Sequence, residues 1–211
     1  LFVTLTTTLT GSVRLYERVR YRRMVQGTAI QPEPIFIVGH WRSGTTHLHL
    51  LLCQDPQLGF VSTFQALAPG FCLAGRGFIK RIVGYWLERG HATRLIDNVP
   101  LRIDAPQEEE FALAGMSRLS PYWGLTFPRR GQAYDRYIYP EQFTAGERVA
   151  WKRHFLIFLR KLVFWSGKRP VLKNPHNTAR VALLRRDARR RPPVAPGRRA
   201  AGRERPVPAL Q

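Results

Sequence analysis

GHWRSGTT, residues 39–46, is the stretch on which the fold turns. The apolar run IFIV, residues 35–38, comes before it and predicts a short buried strand; THLHLLL, residues 46–52, comes after it and predicts the start of a helix. Strand, Gly-rich turn and helix together make a phosphate-binding geometry. Backbone N–H groups at the helix start converge on the turn, and the helix dipole adds partial positive charge there. The spacing Gly39-x4-Gly44 followed by two Thr matches the Walker A pattern except at Thr45, where a nucleotide triphosphatase carries Lys.

Working outward, residues 12–25 read as a helix, and Pro32 and Pro34 then break the chain ahead of the strand. Asp55-Pro56 stops the loop helix. FVSTF (60–64) reads as a strand, Pro69 to Gly77 as an irregular loop, and Phe78 to Glu88 as a helix. APQEEEFALAGMS (105–117) has Pro and acids where a helix first turn is expected. A turn-rich aromatic stretch runs from Pro121 to Pro140.

Thr144 and Glu147 form a capping-box pair. Behind them Val149, Trp151, Phe155, Phe158, Leu159, Leu162 and Val163 recur at helical spacing, so 145–165 is expected to be a long amphipathic helix whose aromatics are core. Lys168-Arg169-Pro170 turns the chain into a second strand, PVLK, and Asn177 is expected to cap a helix ending near Leu184. Strands alternating with helical segments predict a parallel α/β sheet. Three segments result: a helical stretch 1–31, an α/β domain 32–184, and a tail 185–211.

At 211 residues and 44% hydrophobic, the chain fits one domain with a real core. It does not begin with Met, which predicts a fragment or a processed product. Cys53 and Cys72 are too few for a disulfide framework and lack metal-ligand spacing, as in a cytoplasmic protein with reduced thiols. No run reaches the ~18–20 apolar residues of a membrane-spanning helix. The Thr-rich start, LFVTLTTTLT, leaves membrane attachment of the intact protein open.

The net charge of +20 resembles a nucleic-acid signature, but its distribution argues otherwise. Residues 185–211 hold nine Arg against one Asp and one Glu, with no aromatic residue. That tail reads either as a disordered basic segment or as out-of-frame text. The remaining positive charge suits a protein that handles polyanionic small molecules, so no nucleic-acid partner is expected.

Four blocks then resemble the sulfotransferase superfamily, specifically the mainly bacterial branch with "GxxRSGTTxL" at the loop: PIFIVGHWRSGTTHLHLLL (34–52), RLIDNVPLRIDAPQEEEFAL (94–113), SPYWGLTFP (120–128) and PVLKNPHNTARVALL (170–184). The resemblance implies a P-loop-like three-layer α/β domain with a central parallel sheet, incomplete on its C-terminal side. It implies the donor 3′-phosphoadenosine 5′-phosphosulfate and no metal. Arg42, Ser43, Gly44, Thr45 and Thr46 would cradle the 5′-phosphosulfate, with Arg42 stabilising the leaving oxygen. Lys173, at the end of the second strand, would contact the sulfuryl group.

The acceptor must lose a proton, so a general base is required. Glu108 and Glu110 are ranked above Glu109, since consecutive helical residues point in different directions. His176 is the alternative base, and Asp97 and Asp104 are weaker ones. His40, Trp41, His47 and His49 read as packing or lining groups. An Arg and a Ser for the 3′-phosphate are expected downstream of Leu184, where no residue can be assigned to them. The acceptor is a small molecule, glycan or lipid bearing a hydroxyl or amine, and the aromatic residues of 60–78 and 119–139 suggest a greasy pocket for it. The rivals are a P-loop kinase or NTPase, which Thr45 opposes, and a basic nucleic-acid-binding module, which rests on charge alone.

Overall fold

The computed structural model describes residues 2–90 and 101–188, with side chains from residue 8 to residue 185. A first helix, α1 (Phe2–Gly27), is longer than the periodicity of 12–25 indicates. Glu17, an acid in the middle of α1, is drawn inward to Lys161. After the prolines come β1 (Ile35–Ile37) and α2 (Thr45–Leu52), on either side of the loop. β2 (Leu58–Ser62) lies two residues earlier than the FVSTF pattern suggests, because Ser62 caps α3 (Thr63–Leu67) through a capping box with Gln65.

α4 (Phe78–Arg89) follows the expected irregular loop. Pro106 and Gln107 form a short strand, β3, and not a helix first turn; β3 pairs antiparallel with β2, Val61 opposite Gln107. Proline is tolerated there because an edge strand need not donate from that position. The helix α5 (Glu109–Met116) therefore starts at the acids themselves. Two short helices, α6 (Trp123–Thr126) and α7 (Gly131–Asp135), fill the aromatic turn region.

The Thr144 hydroxyl accepts from the Glu147 amide and the Glu147 carboxylate accepts from the Thr144 amide, so the capping box opens α8 (Ala145–Ser166) as expected. Gly167, at φ 66°, ends it in the left-handed conformation that favours glycine. β4 (Arg169–Lys173) leads to α9 (Asn177–Ala188). This last helix continues past Leu184, and Asn177 lies within it, not outside it as a cap.

The sheet order is β1-β4-β2-β3. β4 is central and parallel to both neighbours, with Ile37 beside Lys173 and Phe60 beside Val171. Adjacent residues of a strand face opposite ways, yet Val171 and Leu172 are both buried, so helices cover the sheet on both faces. The three-layer α/β expectation holds, with β3 as an antiparallel edge. Trp151, Phe155, Phe158, Leu159 and Leu162 of α8 fill the main core, and Trp151 stacks on Phe155 with centroids 5.0 Å apart. Val149 departs from that stripe and is 68% exposed. A smaller core gathers Val25, Phe64, Cys72, Leu73 and Ile103 between α1, α3 and α4. Among the described residues no helix is long and apolar enough to cross a membrane.

Candidate functional site

Local sterics fix the loop between β1 and α2. A Cβ on Gly39 would lie 2.7 Å from Thr45 Cγ2 and 3.0 Å from Ser43 Oγ, so only glycine lets the turn close. Gly44, at φ 79°, is the N-cap of α2, and a Cβ there would meet nothing within 4 Å. Arg42 is held at φ 63°, an uncommon and costly conformation for a residue with a side chain. Ser43 Oγ donates to the His40 carbonyl at 2.6 Å. The first hydrogen bond of α2 runs from the Leu48 amide to the Gly44 carbonyl, so the amides at the start of α2 are left for another partner. Arg42, Ser43 and Gly44 are exposed, and Thr45 and Thr46 half-buried.

The loop is tied to the start of α9 and the turn before it. The Gly39 amide donates to Thr178 Oγ1 at 2.9 Å, and that hydroxyl donates back to the Gly39 carbonyl at 3.1 Å. The Trp41 ring meets His176 edge-on at 5.4 Å, and His176 meets Tyr122 at the same distance. His40 and Trp41 thus line the loop. His49 is buried and His47 exposed on α2.

Beside this junction the three consecutive acids each engage a residue of 173–180, from the end of β4 into α9. Glu108 Oε1 accepts from Lys173 Nζ at 2.5 Å, and its other oxygen accepts from the Tyr122 hydroxyl. Glu109 Oε1 accepts from Asn177 Nδ2 at 2.5 Å. Glu110 pairs with Arg180 Nη1 at 2.6 Å and also accepts from Asn174 Nδ2 and Ser120 Oγ, both at 2.7 Å. Asn177 and Arg180 share a face of α9 at i, i+3. His176 Nδ1 lies 3.0 Å from Asn174 Oδ1. Asp104 pairs with Lys80, apart from this cluster, and Asp97 lies outside the described residues.

Comparison with known proteins fits this geometry. The model of the sulfotransferase family matches residues 34–190. The chain belongs to the sulfotransferase family. It is 36% identical over 170 residues to the omega-hydroxy-beta-dihydromenaquinone-9 sulfotransferases Stf3 of Mycobacterium bovis and Mycobacterium tuberculosis. The aligned region is 81% of this chain and 43% of each relative, so the chain spans less than half the length of the curated relatives it matches. No solved structure matches.

Within this cluster the charges are strongly differentiated. Burial pushes the Glu109 carboxyl up to about 7, and the neighbouring Glu110 charge adds to the effect. Its Oε2 has no hydrogen-bond partner among the described residues. Glu110 is equally buried, but the Arg180 charge and its hydrogen bonds outweigh desolvation and hold the carboxyl below the ordinary range. Burial lowers the His176 imidazole, with Glu110 pulling it up and Arg180 pushing it down. Burial and the Glu108 carboxylate raise the Tyr122 phenol well above its ordinary value. Among the described residues no group of His, Cys, Asp and Glu could hold a metal ion.

Sequence reasoning attached no role to Ser120, Tyr122, Asn174, Thr178 or Arg180. Arg180 is fully buried, its guanidinium 5.1 Å from the Trp151 ring centre and its Nη2 donating to the Tyr137 carbonyl. The available signal was a single Arg inside the apolar pattern ARVALL, flanked on one side by the Asn-rich turn KNPHN.

Proposed function

We propose that this chain carries the phosphosulfate site and the acid–base group of a sulfotransferase that moves a sulfuryl group from 3′-phosphoadenosine 5′-phosphosulfate to a hydroxyl. The observation that carries the proposal is the Lys173–Glu108 contact at the end of β4, one strand from the mouth of the 39–46 loop. A cation for the transferring group and a carboxylate for the acceptor proton then stand at the carboxyl end of parallel strands, beside an anion cradle.

The loop suits the donor's phosphosulfate. Gly44 leaves open space for close approach, the first α2 amides point outward, and Thr45, Thr46 and Ser43 add hydroxyls. Arg42 is exposed in the same loop, and its planar fork would serve the leaving oxygen. Glu108 is assigned as general base. Lys173 and Tyr122 orient it, and its side chain keeps 16% of its surface open while Glu110 keeps none. Glu110 then acts as a positioning residue that fixes Asn174 and, through it, His176. His176, neutral at pH 7, is the alternative base.

For the acceptor we infer a hydroxylated apolar molecule of the lipid type. The relatives' name specifies a hydroxylated dihydromenaquinone. Residues 118–134 form an open cleft of about 810 Å³, whose wall combines Trp123, Phe127 and Tyr134 with three arginines, Arg118, Arg129 and Arg130. Trp123 and Phe127 are stacked at 5.9 Å and offer a flat apolar surface to a ring.

Calorimetric titration of this chain with adenosine 3′,5′-bisphosphate tests the donor assignment. Saturable binding is expected, weakened at least about tenfold in an Arg42→Ala, Thr45→Ala double variant, because charge-assisted and hydroxyl hydrogen bonds to the anion are lost. A folded chain that does not bind the nucleotide would refute the reading. Mass spectrometry of a long-chain hydroxylated quinol incubated with donor and chain tests the acceptor.

A further inference from the structure

α4 turns an apolar stripe outward. Its inner side, Ile79, Val83 and Leu87, packs on the smaller core, and Gly84 sits so close to Ile103 that a Cβ would come within 3.1 Å of it. The other side carries Phe78, Ile82, Tyr85 and Trp86 at the spacing of one helix face. Phe78 and Trp86 are 77% and 67% exposed. Isolated exposed apolar residues are ordinary, but four on one 12-residue helix make a patch that marks an interaction surface. Arg81 and Arg89 are exposed on the same helix, and the Arg89 guanidinium lies 5.5 Å from the Tyr85 ring centre. α1 packs on the same smaller core through Tyr21 and Val25 and exposes further arginines, Arg18 and Arg22 among them.

We propose that α4 docks on the surface of an anionic lipid bilayer. Phe78, Ile82 and Trp86 enter the boundary of the acyl region, and Arg81 and Arg89 reach the headgroup phosphates. Charge complementarity selects this occupant: beside the smaller core, α4 exposes Arg81 and Arg89 and α1 exposes Arg18 and Arg22. Aromatic residues with arginine beside them also compose helices that lie in the membrane interface. At 12 residues α4 extends only about 18 Å, too short to span a bilayer, so it lies on the surface. Docking would hold the chain at the surface in which a lipid acceptor dissolves; that purpose rests on the acceptor reading above, and the docking does not.

Flotation of the intact chain with vesicles tests the proposal, using phosphatidylcholine with about a quarter phosphatidylglycerol against phosphatidylcholine alone, at about 0.15 M salt. The wild type is expected to float with the anionic vesicles. A Phe78→Ser, Trp86→Ser variant should partition at least about tenfold less while unfolding at an unchanged temperature. Arg81→Gln with Arg89→Gln should weaken flotation on the anionic vesicles only. Equal flotation of wild type and the serine variant would overturn the proposal, because scattered positive charge would then suffice. So would a wild type that stays in solution, or a concentration-dependent dimer abolished by the same serine substitutions. A chain that floats but does not bind adenosine 3′,5′-bisphosphate would refute the transfer reading alone.

Discussion

Lys161 and Lys173 each end 2.5 Å from a glutamate oxygen, and the two pairs belong to different kinds of structure. Lys161 also donates to the Pro69 carbonyl at 2.7 Å, and the second oxygen of its partner Glu17 accepts from the Ala74 amide at 2.9 Å. That pair is closed on itself and fastens α1 to α8 and to the loop after α3. The Lys173–Glu108 pair stands at the carboxyl end of β4, beside an exposed anion loop and aromatic rings that stack on one another's edges. A buried ion pair whose every group is answered from within serves architecture. One that leaves surface open at a strand end is available for chemistry.

Removing the cations in turn separates the two kinds of pair. Lys161→Ala strands Glu17 inside the protein, and Arg180→Ala strands Glu110. Each should cost about 3–5 kcal/mol in urea or thermal unfolding, the penalty for an uncompensated buried charge. Arg180→Lys should not restore stability, because one ammonium cannot reach Glu110 and the Tyr137 carbonyl as the guanidinium fork does. Lys173→Ala should cost only about 1 kcal/mol, since Tyr122 still holds a Glu108 that water can reach. It should also reduce sulfated product by about a hundredfold or more. If Lys173→Ala unfolds the chain as Lys161→Ala does, the two pairs are not different in kind.

Glu109 lies between these cases, a buried carboxyl with an amide partner and no cation. Its proton is held more tightly in the fold, to about 7 against an ordinary 4.5. The stability this confers is complete below about pH 4.5 and is lost as pH rises through about 7. Glu109→Gln keeps the neutral shape at every pH. The variant and the wild type should therefore unfold together at pH 4 to 5, and by pH 8 the variant should be ahead by about 1–3 kcal/mol. Parallel unfolding curves across that range would mean that Glu109 is already ionised in the fold.

The phosphate loop and the α8 capping box were legible in sequence because they are local: a few residues define each by spacing and sterics. The acidic run was legible as a site but not in its wiring. Each of Glu108, Glu109 and Glu110 answers a residue of 173–180, and such pairings are fixed only when the sheet brings α5 and α9 together. Arg180 stayed hidden for the same reason: an Arg within a helix usually marks a solvated face, and only the packed fold shows it buried against Trp151. The start of α3 was locally encoded, since Ser62-x-x-Gln65 is a capping box, yet the alternating pattern of FVSTF outweighed it. Pro106 misled in the opposite direction, because proline suits both a helix first turn and a sheet edge.

Substitutions in the loop are expected to have smaller effects. Gly39→Ala would push a methyl against Thr45 and should cost about 1–3 kcal/mol, while weakening adenosine 3′,5′-bisphosphate binding about tenfold. Arg42→Gly should act in opposite directions on the two readouts. A side chain at φ 63° is disfavoured by about 1 kcal/mol, so glycine should raise unfolding stability by about half that once the greater freedom of the unfolded chain is offset. Loss of the guanidinium should weaken nucleotide binding at the same time. Arg42→Asn separates the causes, because Asn tolerates the left-handed region without carrying charge. It should match glycine in lost affinity and keep part of the gain in stability. A strained residue that stabilises nothing internally is expected at an open functional loop and out of place at the Glu17–Lys161 end. If Arg42→Gly instead lowers stability, Arg42 is a packing residue and the loop belongs with the closed half of the molecule.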